Sequence, residues 1–414
     1  MTGRNRKASD IDILAMNKYM QPACANCRIA FVDTTPYSVG NVDEFFQETG
    51  ARRTGPENLR CNGLGNAAYS NVKDNVMTST LANLDLSGQR VLVTGGLGFV
   101  GSNLAHRCLE LGAAVTVFDC LDPRAGGNIY NIHDVRDSVE LAFHDLRNFD
   151  QVANHVVDKD VIFNCAASTS HPFSMREPWL DQEVNSFGVI NLLEAIRRFN
   201  PRGKLVHVGT TTQLGPLQYR PADENHPEFP PDIYSANKMV SEKFVLIYGK
   251  AYSMRVSVMR LSNVYGPRAS IHSPEFTFNN FFIGLALQGK QITVFGDGRQ
   301  QRNAIYVDDA VEALLLASQS EQVNGKPFFV VADDHHSVAE IAEKTVEVIG
   351  KGSVVYVDWP PGRKVVDVGD AIISNKNIKG VLDWSPRFTL AEGLSCAKEY
   401  YEPRLAHYLA GSIG

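Results

Sequence analysis

The pattern of apolar and polar positions changes sharply at Gln89. Before it, short apolar groups are separated by Asn, Thr, Gly and Arg, as in Glu48-Thr49-Gly50-Ala51-Arg52-Arg53-Thr54-Gly55-Pro56. This stretch predicts an extension of loops and short helices. From residue 90 onward, short apolar runs alternate with longer ones of helical character. Arg90-Val91-Leu92-Val93-Thr94 predicts a strand, 102–111 a helix, and Val115-Thr116-Val117-Phe118 the next strand. Runs at 139–143, 161–163 and 205–208 continue the strands, and 181–199 predicts an intervening helix. Strands alternating with helices build βαβ units, hence an α/β fold with a doubly wound parallel sheet.

Beyond Tyr265 the alternation loosens. Helices are expected near 278–288, 308–318, 337–349 and 390–401, with a strand at 292–295. The reading divides the chain into an N-terminal extension (1–85), a dinucleotide-binding domain (86–265) and mainly a smaller C-terminal substrate-binding lobe (266–414).

Composition narrows the function classes. The chain has 414 residues, 44% hydrophobic and 21% charged, which is enough to bury a sizeable core. A formal net charge of −6 leaves no basic footprint for nucleic acid or an anionic membrane. Apolar runs stop well short of a membrane span. The first residues are polar and charged, without a signal-peptide core, so a cytoplasmic location is expected. Seven cysteines spread over this length do not form a disulfide framework. Cys108, Cys120 and Cys165 lie in apolar stretches and read as free thiols. Cys24 and Cys27 form a Cys-x-x-Cys pair, but a zinc site needs two further ligands, so no metal is expected. Asp333-Asp334-His335-His336 precedes Ser337, which reads as a helix N-cap rather than as part of a metal site.

Thr94-Gly95-Gly96-Leu97-Gly98-Phe99-Val100-Gly101 follows a predicted strand and opens a predicted helix. Glycines at 95, 98 and 101 allow a tight turn, close approach to a pyrophosphate and close packing of helix on strand. The helix N-terminus then offers N–H groups to phosphates. Asp119 ends the next strand, where a carboxylate takes the ribose hydroxyls of NAD and repels the 2′-phosphate of NADP. Arg124 follows closely and tempers that preference.

Tyr234-Ser235-Ala236-Asn237-Lys238 places a phenol and an ammonium at i and i+4 on one helix face. The cation is expected to lower the phenol pKa from its usual value of about 10, so that Tyr234 can take a proton from a substrate hydroxyl. Thr210, at a strand end on the sheet's carboxyl edge, can hydrogen-bond the same hydroxyl; capping a turn is its plainer role.

Together these features resemble the extended short-chain dehydrogenase/reductase family, in its sugar-nucleotide epimerase and dehydratase branch. The resemblance spans about 84–401. It rests on the Thr-Gly-Gly-x-Gly-Phe-x-Gly loop, Asp119, His144-Asp145-Leu146, Asn164-Cys165-Ala166-Ala167, Tyr234 with Lys238, and Arg260-Leu261-Ser262-Asn263-Val264-Tyr265-Gly266-Pro267. It implies a Rossmann domain holding NAD, with Asp145 and Leu146 beside the adenine and Ala166 and Ala167 along the cofactor. It implies that Asn263 and Arg302 meet the diphosphate of a nucleotide-diphosphate sugar, with Arg363 a further candidate and Phe295 near the base. It also implies a homodimer through the helices near 181–199 and 234–250.

The residues after Thr210 select among the family's reactions. Its 4,6-dehydratases carry an Asp-Glu pair there, and its decarboxylases a Glu. Here the positions read Thr211 and Thr212, which cannot act as carboxylate acid or base. A 4-epimerase needs neither: oxidation at C4, rotation of the keto sugar and reduction from the other face suffice. Epimerisation is therefore the expected activity, with Thr211 lining the sugar site. A nucleotide-sugar oxidoreductase and, from another class, a non-catalytic NAD-binding regulator are the alternatives. The N-terminal extension is expected to cover the substrate lobe or a subunit interface.

Overall fold

The computed structural model describes residues 84–122, 124–360 and 368–409. Cys24, Cys27, Arg363 and the N-terminal extension up to residue 83 lie outside the described residues.

Seven strands form the main sheet: β1 (Arg90–Thr94), β2 (Ala114–Asp119), β3 (Val139–Phe143), β4 (Val161–Asn164), β5 (Lys204–Thr210), β6 (Val256–Leu261) and β7 (Pro327–Val330). Their order is β7-β6-β5-β4-β1-β2-β3. Every neighbouring pair is parallel. The chain winds outward from β1 to β3, then returns to place β4 on the other side of β1. Val91 thus stands opposite both Val115 and Val161. That reversal opens a crevice at the carboxyl ends of β1 and β4, where ligands bind in such sheets.

Helices cover both faces. They include α1 (Phe99–Glu110), α2 (Phe149–Val156), α3 (Gly188–Phe199) and α4 (Ile233–Tyr252). Alternation along β1 sorts its side chains. Val91 and Val93 join Leu104, Ala105 and Cys108 of α1 in one core. Leu92 joins Leu192, Ile196 and Val245 of α3 and α4 in the other. Burial on both faces explains why the strands read as nearly continuous apolar runs.

Two strands are less evident from local sequence. β6 contains Arg260, which breaks its apolar run, yet all six of its residues are buried. Arg260 is accommodated because Glu242 and Glu228 lie 2.5 and 2.6 Å from its guanidinium. β7 is only four residues long.

The helix expected over 181–199 is interrupted. Pro178–Gln182 is a short helix, Glu183–Phe187 a wider π turn, and only then does α3 begin. The π turn carries Asn185, whose amide donates to the carbonyl of Ser168 at 2.8 Å and whose carbonyl accepts from Ser168 N–H. It thereby ties this segment to the loop after β4.

Beyond 265 the chain serves both layers. Helix Val307–Gln319 packs on α1, and β7 extends the main sheet. The remainder forms a smaller layer, with strand Gln291–Phe295 paired to Ser353–Val357 and helices Phe278–Leu287 and Val338–Ile349 beside it. Ser337 caps the latter helix in a reciprocal capping box with Glu340, as its position suggested.

Candidate functional site

The loop from β1 to α1 turns on Gly95, with φ of 67°. A Cβ there would stand 2.7 Å from the backbone of Ala166. At Gly101 it would stand 2.2 Å from the carbonyl oxygen of Gly95. Loop, helix and β4 therefore approach more closely than side chains allow. No side chain caps the start of α1. Its free N–H groups are left to an acceptor from outside, and a diphosphate suits them in charge and shape.

Asp119, at the end of β2, accepts from Leu97 N–H at 3.0 Å and from Leu121 N–H at 2.8 Å. The first bond draws its carboxylate toward the glycine loop. Burial raises its pKa, and the backbone bonds oppose that rise. Arg124 is held by Asp122 at 2.6 Å. That pairing neutralises the cation that tempered the preference for NAD.

One cavity of about 280 Å³ collects these residues at the sheet's carboxyl edge. Gly95, Gly98, Phe99, Val100, Gly101 and Asp119 line one part of it. Asp145, Leu146, Ala166 and Ala167 continue the wall. Asp145 is ion-paired to Arg147 at 2.6 Å, and Arg147 also reaches Glu183 at 3.2 Å. Below the wall, Thr94 donates to Asn164 at 2.6 Å, and Asn164 meets His207 at 3.0 Å. Burial and the nearby Lys238 hold His207 well below the ordinary histidine range, so it is neutral.

Thr210, Thr211, Tyr234, Lys238 and Asn263 line the same cavity. Asp232 is the N-cap of α4 and accepts from Ser235 N–H at 2.8 Å, which sets the rotation of the helix and faces Tyr234 and Lys238 inward. Tyr234 N–H donates to Ser174 Oγ at 3.1 Å. Lys238 donates to the carbonyl of Val208 at 2.6 Å, and burial pushes its pKa down to about 8. Burial pushes the Tyr234 phenol above its ordinary value; a hydrogen bond with Thr210 opposes this, and Asp181 and Asp232 add to it. The phenol was expected to be lowered by Lys238. In the folded protein desolvation raises it instead, and the ammonium is engaged by the carbonyl of Val208.

Two expected substrate residues are not among those that line this cavity. Arg302 donates to the carbonyls of Gly369 and Gln301 at 2.5 and 2.9 Å. Phe295 packs near Trp359, with ring centroids 5.8 Å apart. Neither lines the cavity.

His171 also lines it, and sequence reasoning did not single it out. Its partner Asp232 lies 61 residues away, at 2.6 Å from Nδ1. The signal that could have pointed to Asp232 is its place two residues before Tyr234, where it caps α4. His171 carries no such local signal.

Comparison with known proteins agrees with this geometry. The model of the NAD dependent epimerase/dehydratase family matches residues 91–332. A UDP-glucose 4-epimerase of Mycolicibacterium smegmatis is 31% identical over 325 residues, spanning 75% of this chain and 98% of that protein. UDP-glucuronic acid decarboxylase 1 of Xenopus tropicalis is 30% identical, spanning 77% and 73% respectively. The solved structure of UDP-glucose 4-epimerase from Thermus thermophilus in complex with NAD is 29% identical, with a TM-score of 0.68, covering 76% of this chain and 100% of that one.

Proposed function

The chain belongs to the NAD-dependent epimerase/dehydratase family, and on that premise we propose that it inverts a nucleotide-diphosphate sugar at C4. The observation that carries this choice is the wall beside Thr210. Thr211 and Thr212 stand where elimination would call for carboxylates, and Thr212 Oγ1 lies 3.0 Å from both Thr210 Oγ1 and Ser235 Oγ. The nearby acids Asp181 and Asp232 do not line the cavity: Asp181 accepts from Asn237 at 2.8 Å through Oδ1, and Asp232 holds Ser235 and His171.

Tyr234 takes the proton of the C4 hydroxyl and returns it to the inverted product. Thr210 orients that hydroxyl, and Lys238 stabilises the phenolate and the ribose end of the cofactor. The glycine loop and Asp119 would hold NAD, which would supply reversible hydride exchange at the sugar carbon. Asn263 holds the diphosphate, and Arg302 and Arg363 meet it from the lobe formed by the rest of 266–414, with Phe295 near the base. Thr211 contacts the sugar. Exposed Phe187, Phe199 and Ile247 around α3 and α4 suit a homodimer.

Incubating the purified chain with UDP-, dTDP-, GDP-, CDP- and ADP-sugars tests the reading by mass spectrometry and NMR. An isomer of unchanged mass without NADH release is expected. Loss of water or carbon dioxide, or NADH formed in step with product, would overturn it.

A further inference from the structure

A row of hydrogen bonds leads away from the proposed acid–base residue. The Tyr234 hydroxyl is bonded to Thr210. Thr210 Oγ1 lies 3.0 Å from Thr212 Oγ1, and Ser235 Oγ lies 3.0 Å from the same Thr212 atom. The Ser235 side chain is in turn bonded to Asp232. Asp232 Oδ2 is 2.6 Å from His171 Nδ1. Distances fix the Thr210–Thr212, Thr212–Ser235 and Asp232–His171 links, and the Tyr234–Thr210 and Ser235–Asp232 links show in the lowering influence that each exerts on the Tyr234 and Asp232 pKa.

Burial differs between the two ends. Ser235 is fully buried and Tyr234 nearly so. The His171 side chain is 37% exposed and borders the cavity. The His171 ring stands edge-on to Tyr234, with centroids 4.8 Å apart. The row therefore starts at the buried phenol and ends at a solvent-facing imidazole beside it. Asp232 faces His171 from the start of α4; Glu275, bonded to the preceding Ser170, and Arg176, 3.0 Å from Glu275 and on the same short helix as His171, are charges on the adjoining segments.

We propose that Thr210, Thr212, Ser235, Asp232 and His171 form a proton relay that connects the Tyr234 hydroxyl to solvent. The relay rests on the assignment of Tyr234 as the acid–base group. In the outward direction the Tyr234 O–H bond breaks and Thr210 receives the proton. Thr210 passes its own proton to Thr212, and Thr212 passes one to Ser235. Ser235 protonates the Asp232 carboxylate, which hands a proton to His171 Nδ1. His171 releases its Nε2 proton to water. One proton leaves the phenol, one appears in solvent, and no electrons change hands. The reverse sequence reloads the phenol. Hydroxyls suit this task because each is both donor and acceptor and rotates freely. The carboxylate–imidazole pair suits the outer end because it fixes the ring while leaving Nε2 open to water. Thr212, Ser235, Asp232 and His171 are positioning and relay groups rather than catalytic residues.

The test is hydrogen–deuterium exchange at the Tyr234 hydroxyl of the NAD-loaded full chain at neutral pH, read from the isotope shift of the adjoining ring carbon by NMR and assigned with Tyr234→Phe. Exchange is expected to slow roughly tenfold or more in His171→Ala and in Thr212→Val. Added imidazole should restore the first, and Thr212→Ser should retain the wild-type rate. Unchanged exchange in His171→Ala and Thr212→Val, or failure of imidazole to rescue, would each overturn the relay. No nucleotide sugar is present in this measurement. Inactivity toward every sugar in the panel would therefore overturn the proposed reaction and leave the relay result standing.

Discussion

Lys238 donates to the carbonyl of Val208 at 2.6 Å, so a buried ammonium on α4 is tied to the backbone of β5. Burial lowers its pKa from 10.5 to about 8. Between those values the unfolded chain binds the proton and the folded protein does not. This group alone therefore makes folding more favourable as pH rises from about 8 toward 10.5. Urea denaturation of wild type and Lys238→Met at several pH values checks the sign. Wild-type stability relative to the variant should grow with pH, and a flat or falling difference contradicts the burial argument.

Tyr234→Phe should reduce turnover by about 10²- to 10⁴-fold, the usual scale for losing a positioned acid–base group. The ring would remain packed edge-on against His171, so the circular dichroism spectrum should not change. Activity within a few-fold of wild type would remove Tyr234 from the chemistry and favour a binding role for the chain.

Gly101→Ala would bring a methyl group to 2.2 Å from the Gly95 carbonyl, which is backbone and cannot swing aside. Overpacking of this kind costs about 1–3 kcal/mol. Thermal denaturation should show that loss. Titration calorimetry should show weaker NAD binding, because the glycine loop must shift to relieve the contact.

Arg260→Met would leave Glu242 buried without its guanidinium partner, 2.5 Å away in the native protein. Removing one member of a buried pair costs about 3–5 kcal/mol, whereas replacing both with apolar groups is often neutral. Arg260→Met should therefore be severely destabilised, and Arg260→Met/Glu242→Leu should recover much of the loss in urea melts. A double variant no better than the single one would show that Glu228 and Lys243, which also contact the cluster, dominate it.

Ile247 is 57% exposed on α4. If α3 and α4 form the subunit interface, Ile247→Glu should shift the chain from dimer to monomer in sedimentation velocity. A monomeric wild type, or an unaffected dimer, would contradict this placement.

Much of the fold was legible because it depends on near neighbours in sequence. β1, the glycine loop, α1 and Asp119 follow one another within thirty residues, and each is specified by local spacing. Tyr234 and Lys238 share a helix turn. By contrast, β6 was obscured by Arg260, whose burial depends on Glu242 and Glu228 from other segments. The helix expected over 181–199 was divided by a π turn that anchors Ser168, a contact that periodicity cannot express.

The sequence by itself determined a doubly wound sheet, a dinucleotide loop with its acid, and a Tyr–Lys pair beside a threonine. Repeating periods and short fixed spacings encode these directly. The tertiary structure alone decided that His171 meets Asp232, that Arg302 is tied to the carbonyls of Gly369 and Gln301, and that the phenol is raised rather than lowered. The reason is physical: desolvation and long-range hydrogen bonds depend on what surrounds a group in space, and burial is the largest influence on the Tyr234 phenol.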